Sequence, residues 1–160
     1  KTGVILFGIA ANIVAGIGAA VGGILDDRIG TKRTIISALT GLLIAGTAVF
    51  AFAGQGKITY WIGGLALCLF VGPAQASSRT FVARFTPLGR EGEFFGLYQT
   101  TGRAVSFLSP TLWSLSLTLA AAAGFKETAI FGILGIMVVL LVGLVLLLRV
   151  HPAPVVHNED

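Results

Sequence analysis

Apolar residues along this chain fall into long runs, and short polar clusters separate each run from the next. Runs of about 20 residues are long enough for a helix to cross about 30 Å of hydrocarbon. Such runs cover approximately residues 4–25, 34–53, 58–85, 94–122 and 128–148. A membrane barrel is excluded, because the strand pattern of alternating polarity over about ten residues does not occur. The pattern therefore predicts an all-α membrane protein with five transmembrane helices, consecutive helices being antiparallel neighbours.

The composition supports a membrane protein and excludes several other classes. Of the 160 residues, 55% are hydrophobic and 11% are charged, whereas soluble domains carry about 25% charged residues. The net charge of +4 does not indicate nucleic-acid binding, because no basic stripe with interleaved aromatic residues occurs. The single cysteine, Cys68, lies within an apolar run. A disulfide and a thiolate metal site are therefore excluded, and no cofactor is expected.

Lysine and arginine are distributed unevenly between the two sides of the membrane that the spans define. One side has Arg28, Lys32, Arg33, Arg84, Arg90 and Arg149, and the other has Lys1, Lys57 and Lys126. Because an excess of bases marks the cytoplasmic side, the turn near residue 30 and the C-terminus are predicted to be cytoplasmic. The chain divides into a membrane domain at residues 1–150 and a tail at residues 151–160 that is expected to be disordered.

The first span carries a face of small residues that repeat at steps of four and three. Its members are Gly8, Asn12, Ala15, Ala19, Gly22 and Asp26. Small faces allow helix backbones to approach closely in lipid. Close packing is one interpretation of this face, and a sliding surface for conformational change is the other.

Amide and arginine side chains lie within only three of the five predicted spans, where each is costly to insert. They are Asn12 in the first span, Gln75 and Arg79 in the third, and Gln99 and Arg103 on one face of the fourth, which Ser106 shares. These side chains are candidates for the walls of a water-filled cavity. In the alternative interpretation the arginines extend to the membrane surface and Asn12 bonds a neighbouring helix. The second and fifth spans carry only hydroxyls or no polar group, which is typical of lipid-facing supports, and no acidic side chain is expected within the membrane.

The turn between the first two spans is the most distinctive motif of the chain. Residues 23–33 read GILDDRIGTKR, and this turn resembles the G-x-L-x-D-R-x-G-x-K-R signature loop of the major facilitator superfamily of secondary transporters. Thr31 stands where many members carry another base. The resemblance implies a conformational latch formed by Gly23, Asp27, Arg28, Gly30, Lys32 and Arg33. Surface charge that only fixes the topology is the alternative interpretation of this turn.

The same resemblance implies how the spans are arranged. They correspond to helices 8–12 of the twelve-helix fold, which is the C-terminal half without its first helix, so the N-terminal half of the same protein is an expected partner. In that fold the counterparts of the first, third and fourth spans line the central cavity. The chain opens directly in a span, which indicates a fragment of a longer protein.

Three further segments resemble one branch of the superfamily. They read GPAQASSR at residues 72–79, GREGEFFGLY at residues 89–98 and GRAVSFLSP at residues 102–110. The branch is the vacuole-effluxer-like one, whose founding members export amino acids from the yeast vacuole. The resemblance implies a multi-pass protein of the cell membrane in a bacterium, or of the vacuolar membrane in a fungus.

These observations predict a secondary transporter that moves small solutes by alternating access, with amino-acid efflux as the form that the branch implies. If the coupling ion is a proton, its carboxylate is expected outside these five spans; otherwise the carrier is a uniporter. A receptor or assembly module built on the same helices is the alternative function. An enzyme is not expected, because the only histidines, His151 and His157, lie in the tail without a catalytic or metal-binding partner set.

Overall fold

A computed structural model describes residues 2–52, 56–125 and 131–150 of the chain. Its helices are α1 (Thr2–Ile29), α2 (Thr31–Ala51), α3 (Lys57–Phe85), α4 (Glu91–Val105), α5 (Leu108–Ala122) and α6 (Phe131–Arg149). These described residues contain no strand, and they include five helical spans long and apolar enough to cross a membrane. The predicted fold class is therefore confirmed. The predicted disordered tail at residues 151–160 and the bases Lys1 and Lys126 lie outside the described residues.

The fourth predicted span consists of two helical segments, α4 and α5, with a break at Ser106 and Phe107. Pro110 has no amide hydrogen to donate to the carbonyl of Ser106, so the regular helical ladder cannot continue there. The backbone amide of Ser106 donates to the carbonyl of Arg103, three residues earlier, at 3.2 Å, so the helix also tightens at this point. Both residues at the break keep right-handed helical dihedrals, so the segment continues in one direction across the membrane.

Helix α3 is central to the packing. It has extensive contacts with α1 and α2, whereas α6 packs between α2 and α5. The first and third helices run parallel, because Phe7 meets Trp61 near one end, with ring centroids 5.3 Å apart, and Asp27 pairs with Arg84 near the other. Among the described residues, helix α4 has few contacts with α3 and contains no buried residue. One flank of α3 and most of α4 therefore stay open within the described chain.

Glycines allow α1 and α3 to approach backbone to backbone. A Cβ atom at Gly18 would overlap the carbonyl oxygen of Leu69, and one at Gly72 would overlap the carbonyl oxygen of Ala15. The Leu69 carbonyl has no helical partner, because Pro73 four residues later lacks the amide hydrogen. The small face of α1 is thus a packing surface along part of its length. Gly8, at its other end, has no neighbour within 4 Å of the Cβ position.

The second helix contributes most of the apolar core. Its buried stripe is Ile35, Ala38, Leu42, Ala45 and Val49, which recur at helical spacing on the face toward α3 and α6. The hydroxyls of α2 do not donate hydrogen bonds to other helices. Each one donates to a backbone carbonyl of α2 itself, and they belong to Ser37, Thr40 and Thr47. The opposite face of α2 carries exposed Ile44, as expected for a support helix.

Candidate functional site

Two neighbouring cavities lie along the open flank of α3, and both include the side chain of Arg79. The first, of about 380 Å³, lies between α3 and α4. Its walls are Arg79, Tyr98, Gln99, Thr101, Gly102 and Val105. The second, of about 370 Å³, lies between α1 and α3. Its walls are Ala15, Ala19, Val71, Gly72, Gln75, Ala76 and Arg79. Because the cavities meet at Arg79, we call them together the Arg79 groove.

The sequence pattern explains why the polar groups of α3 reach this groove. Gly72, Gln75 and Arg79 follow steps of three and four, so they share one face of α3. The glycine meets α1 closely, and the two polar side chains that follow it line the widening space beside that contact. Arg79 is six residues before the end of α3 at Phe85, which is about 9 Å along the helix axis.

The groove brings together three of the six predicted cavity residues, Gln75, Arg79 and Gln99. Arg103 lies one turn beyond Gln99 on α4 and is exposed, but it is not in the wall of either cavity. Among the described residues, the side chains of these two arginines and two glutamines form no hydrogen bond or ion pair with one another or with other groups. The groove therefore offers a cation and two amides that are available to a ligand.

The remaining two predicted residues bond their own helices. The amide of Asn12 donates to the carbonyl of Gly8 at 2.8 Å, and the side chain is exposed. It lies one turn of α1 away from Ala15, which is part of the groove wall. The hydroxyl of Ser106 donates to the carbonyl of Arg103 at 2.7 Å, at the break between α4 and α5. Neither residue lines the groove in this arrangement.

Two residues of the predicted latch, one in the last turn of α1 and one in the first turn of α2, connect these helices with α3 and α6. An oxygen of the Asp27 carboxylate lies 3.5 Å from the Arg84 guanidinium at the end of α3. The Lys32 ammonium donates to the carbonyls of Leu148 and Val150 at the end of α6. A lysine at this place satisfies carbonyls that the helix leaves unpaired and also interacts favourably with the negative end of the helix dipole.

The other latch residues shape the turn or remain at the surface. Gly30 has a φ angle of 88°, a left-handed conformation that glycine adopts without steric cost, so it makes the sharp turn into α2 possible. Gly23, Arg28 and Arg33 are exposed. The two arginines have no ion-pair partner among the described residues.

One acidic residue, Asp26, lies just beyond the predicted end of the first span and is buried within the described structure. Helix α1 continues to Ile29, four residues beyond the predicted end of the span. Asp26 lies in this additional turn, on the small face four residues after Gly22, and only 4% of its surface is exposed. The position of Asp26 on the small face of α1 is the feature of the sequence that indicates its burial. The side chain of the neighbouring Asp27, which is not on that face, is 80% exposed.

The sequence of this chain is similar to those of known transporters. A family model described as vacuole effluxer Atg22 like matches residues 2–152. A Bacillus subtilis (strain 168) protein named "Uncharacterized MFS-type transporter YxiO" is 26% identical over 144 residues, which make up 90% of this chain and 31% of that protein. The chain thus spans less than a third of this relative's length. No solved structure matched the chain.

Proposed function

Because this chain belongs to the vacuole effluxer Atg22-like family, we propose that it forms part of one half of a transporter that moves small solutes by alternating access. The chain is a multi-pass integral membrane protein of the MFS transporter type. The Arg79 groove is the observation on which the proposal depends. It is open along the flank of α3, where a second half of a carrier would face it across a central site.

The chemistry of the groove favours a solute with a carboxylate. Arg79 is exposed and has no acidic partner among the described residues. Within a membrane span such a guanidinium is costly unless water or a ligand satisfies it. Guanidinium groups bind carboxylates through two parallel hydrogen bonds. Gln75 and Gln99 supply amide donors and acceptors on either side. An amino acid, with a carboxylate and an ammonium group, fits this set, and efflux is the direction we propose.

Arg79 is a better candidate for the carboxylate site than Arg103. The Arg79 side chain takes part in both cavities, whereas the Arg103 side chain takes part in neither. Arg103 is on α4, whose residues are all exposed or half-buried and which has few contacts with α3 among the described residues. We therefore assign Arg103 and Asn12 to a more distant part of the solute's route, and Arg79 to direct contact.

The latch is proposed to hold one of the alternating conformations. One contact connects the last turn of α1 with the end of α3, and the other connects the first turn of α2 with the end of α6. The ion pair of Asp27 and Arg84 is exposed and long, so it contributes little to stability and can open at small free-energy cost. A weak tether of this kind suits a contact that forms and breaks in each transport cycle.

Transport by the full-length protein in vesicles tests the proposal. Replacing Arg79 with glutamine removes a charged hydrogen bond to the solute, which is worth about 1.5–3 kcal/mol. We expect the half-saturating concentration of a carboxylate-bearing amino acid to rise roughly tenfold to a hundredfold. The matched control is Arg90→Gln, which removes an exposed arginine outside the groove and should leave transport unchanged. Equal transport by wild type and Arg79→Gln would reject this carboxylate site, and no flux of any solute by the wild type would favour a receptor or assembly role.

A further inference from the structure

Three buried side-chain oxygen atoms have no hydrogen-bond partner within the described chain. They are Oδ1 of Asp26, Oγ1 of Thr31 and Oγ of Ser77. The exposed fractions of these residues are 4%, 5% and 1%, respectively. Buried polar atoms in folded proteins are almost always paired with protein, water or an ion. The three unpaired oxygens belong to α1, α2 and α3, which all pack against one another, so one ligand between these helices would satisfy them.

The register of α1 and α3 places Asp26 and Ser77 at one level of their interface. A Cβ atom at Gly22 would lie 2.6 Å from the Cβ atom of Pro73, so these two residues are in direct contact. Asp26 follows Gly22 by four residues, and Ser77 follows Pro73 by four residues. Because the helices run parallel, both oxygens lie one turn further along the same interface.

Thr31 closes this junction from the side of α2. The backbone amide of Gly30 donates to the carbonyl of Asp26 at 3.1 Å, and Thr31 begins α2 immediately after that turn. Thr31 also lines a cavity together with Phe81, which is one turn beyond Ser77 on α3. The three oxygens therefore come from three adjoining helices, and all three lie toward the predicted cytoplasmic side of the bundle.

Within the part of the chain that the structure describes, no basic side chain forms an ion pair with the Asp26 carboxylate. The bases around the junction are Arg28, Lys32, Arg33 and Arg84. Arg84 pairs with Asp27 instead, and Lys32 donates to carbonyls of α6. The exposed bases act on Asp26 only at longer range, where water and salt screen them. The buried Oδ1 atom of Asp26 therefore has no positive partner among the described residues.

We propose that Asp26, Ser77 and Thr31 form a binding site for a small monovalent cation of the sodium class. One carboxylate balances one positive charge, and hydroxyl oxygens are suitable ligands for a hard cation. A water molecule would pair with the oxygens but leave the charge uncompensated. A divalent ion calls for more carboxylates, and a transition metal calls for nitrogen or sulfur ligands. The described residues contain no group of three or more His, Cys, Asp or Glu side chains that could hold such an ion.

A cation at this junction would hold α1, α2 and α3 together close to the latch pair Asp27–Arg84, because Asp26 directly precedes Asp27 in the sequence. Its occupancy would therefore stabilise one arrangement of the helix ends. This role goes beyond solute transport and does not depend on it, because binding can be measured without any transported solute. The proposal and the assignment of the Arg79 groove can thus fail independently.

Thermal unfolding of the purified full-length protein tests the cation site. Melting temperatures are measured in sodium chloride and in choline chloride at constant ionic strength. We expect sodium to raise the melting temperature of the wild type in a saturable manner, because a ligand that binds only the folded state stabilises it. Asp26→Asn should abolish this shift. Ser77→Ala should raise the half-saturating sodium concentration roughly tenfold through the loss of one ligand.

The control is Asp27→Asn, which removes the adjacent exposed acid and should keep the sodium shift of the wild type. Two results would overturn the proposal: identical melting of the wild type in sodium and choline, or an undiminished sodium shift in Asp26→Asn. The first result would indicate that water or a proton satisfies the oxygens. If Asp26→Asn does not fold, Ser77→Ala decides, and an unchanged sodium midpoint in that variant overturns the site.

Discussion

Replacing Gly72 with alanine is expected to loosen the contact between α1 and α3. The added Cβ atom would overlap the carbonyl oxygen of Ala15 and lie 2.8 Å from the backbone nitrogen of Ala19. Both neighbours are backbone atoms of one helix, so no side-chain rotation can relieve the overlap. The whole of α1 must therefore shift away from α3, with loss of the packing on both sides of position 72.

The size of the effect follows from two opposing contributions. Overpacking a close contact costs about 1–3 kcal/mol, and a rigid backbone neighbour places Gly72→Ala near the upper end. Alanine is better than glycine in a helix by about 1 kcal/mol, which offsets part of that cost. We expect a net loss of about 2 kcal/mol in the free energy of unfolding.

This change is measured by unfolding the full-length protein in mixed micelles with increasing concentrations of a denaturing detergent. The matched control is Gly143→Ala on α6, where no other helix of the described chain comes within 4 Å of the Cβ position. That variant should be as stable as the wild type or slightly more stable, since it gains helix propensity without a clash. If Gly72→Ala were as stable as Gly143→Ala, the close α1–α3 contact would not exist in the protein.

Three other predictions concern the latch and the orientation. Asp27→Asn and Arg84→Gln, singly or together, should change the free energy of unfolding by less than about 1 kcal/mol because the pair is exposed, yet each should alter the transport rate if the pair holds one conformation. Lys32→Gln should increase hydrogen exchange in the last turn of α6, whose carbonyls lose their cationic partner; unchanged exchange would show that this tether is not formed. Cysteines at Leu88 and Phe125, both exposed, should react with a membrane-impermeant reagent from opposite sides, Leu88 from the cytoplasm; labelling from one side would contradict the five-span topology.

The helices and the family could be predicted from the sequence because their signals are local. Apolar runs of sufficient length determine the spans, and the structure confirms all five. The charged turn and the three later segments predicted the family that the comparisons then identified. The fold class and the family membership thus depend on patterns within short segments, and a single sequence is enough to show such patterns.

The details of the site could not be predicted in the same way, because they depend on how helices rotate against one another. Spacing placed Gln99 and Arg103 on one face of α4, but only the packing against α3 decides that Gln99 lines the groove and Arg103 does not. The burial of Asp26 depends on an additional turn of α1 and on its register with α3. The predicted orientation and the cavity role of the six polar residues remain predictions.

Helix α3 connects the proposed solute site with the proposed latch through a short segment. Arg79 and Arg84 are five residues apart, which is about 7.5 Å along the axis, and both follow Pro73, where the helical bond to Leu69 is absent. The part of α3 after Pro73 can therefore tilt as a unit without breaking further helical hydrogen bonds. A carboxylate that draws Arg79 into the groove would then also move Arg84 relative to Asp27. Because that ion pair is weak, a small displacement is enough to open it, and solute binding and latch release become two consequences of one movement.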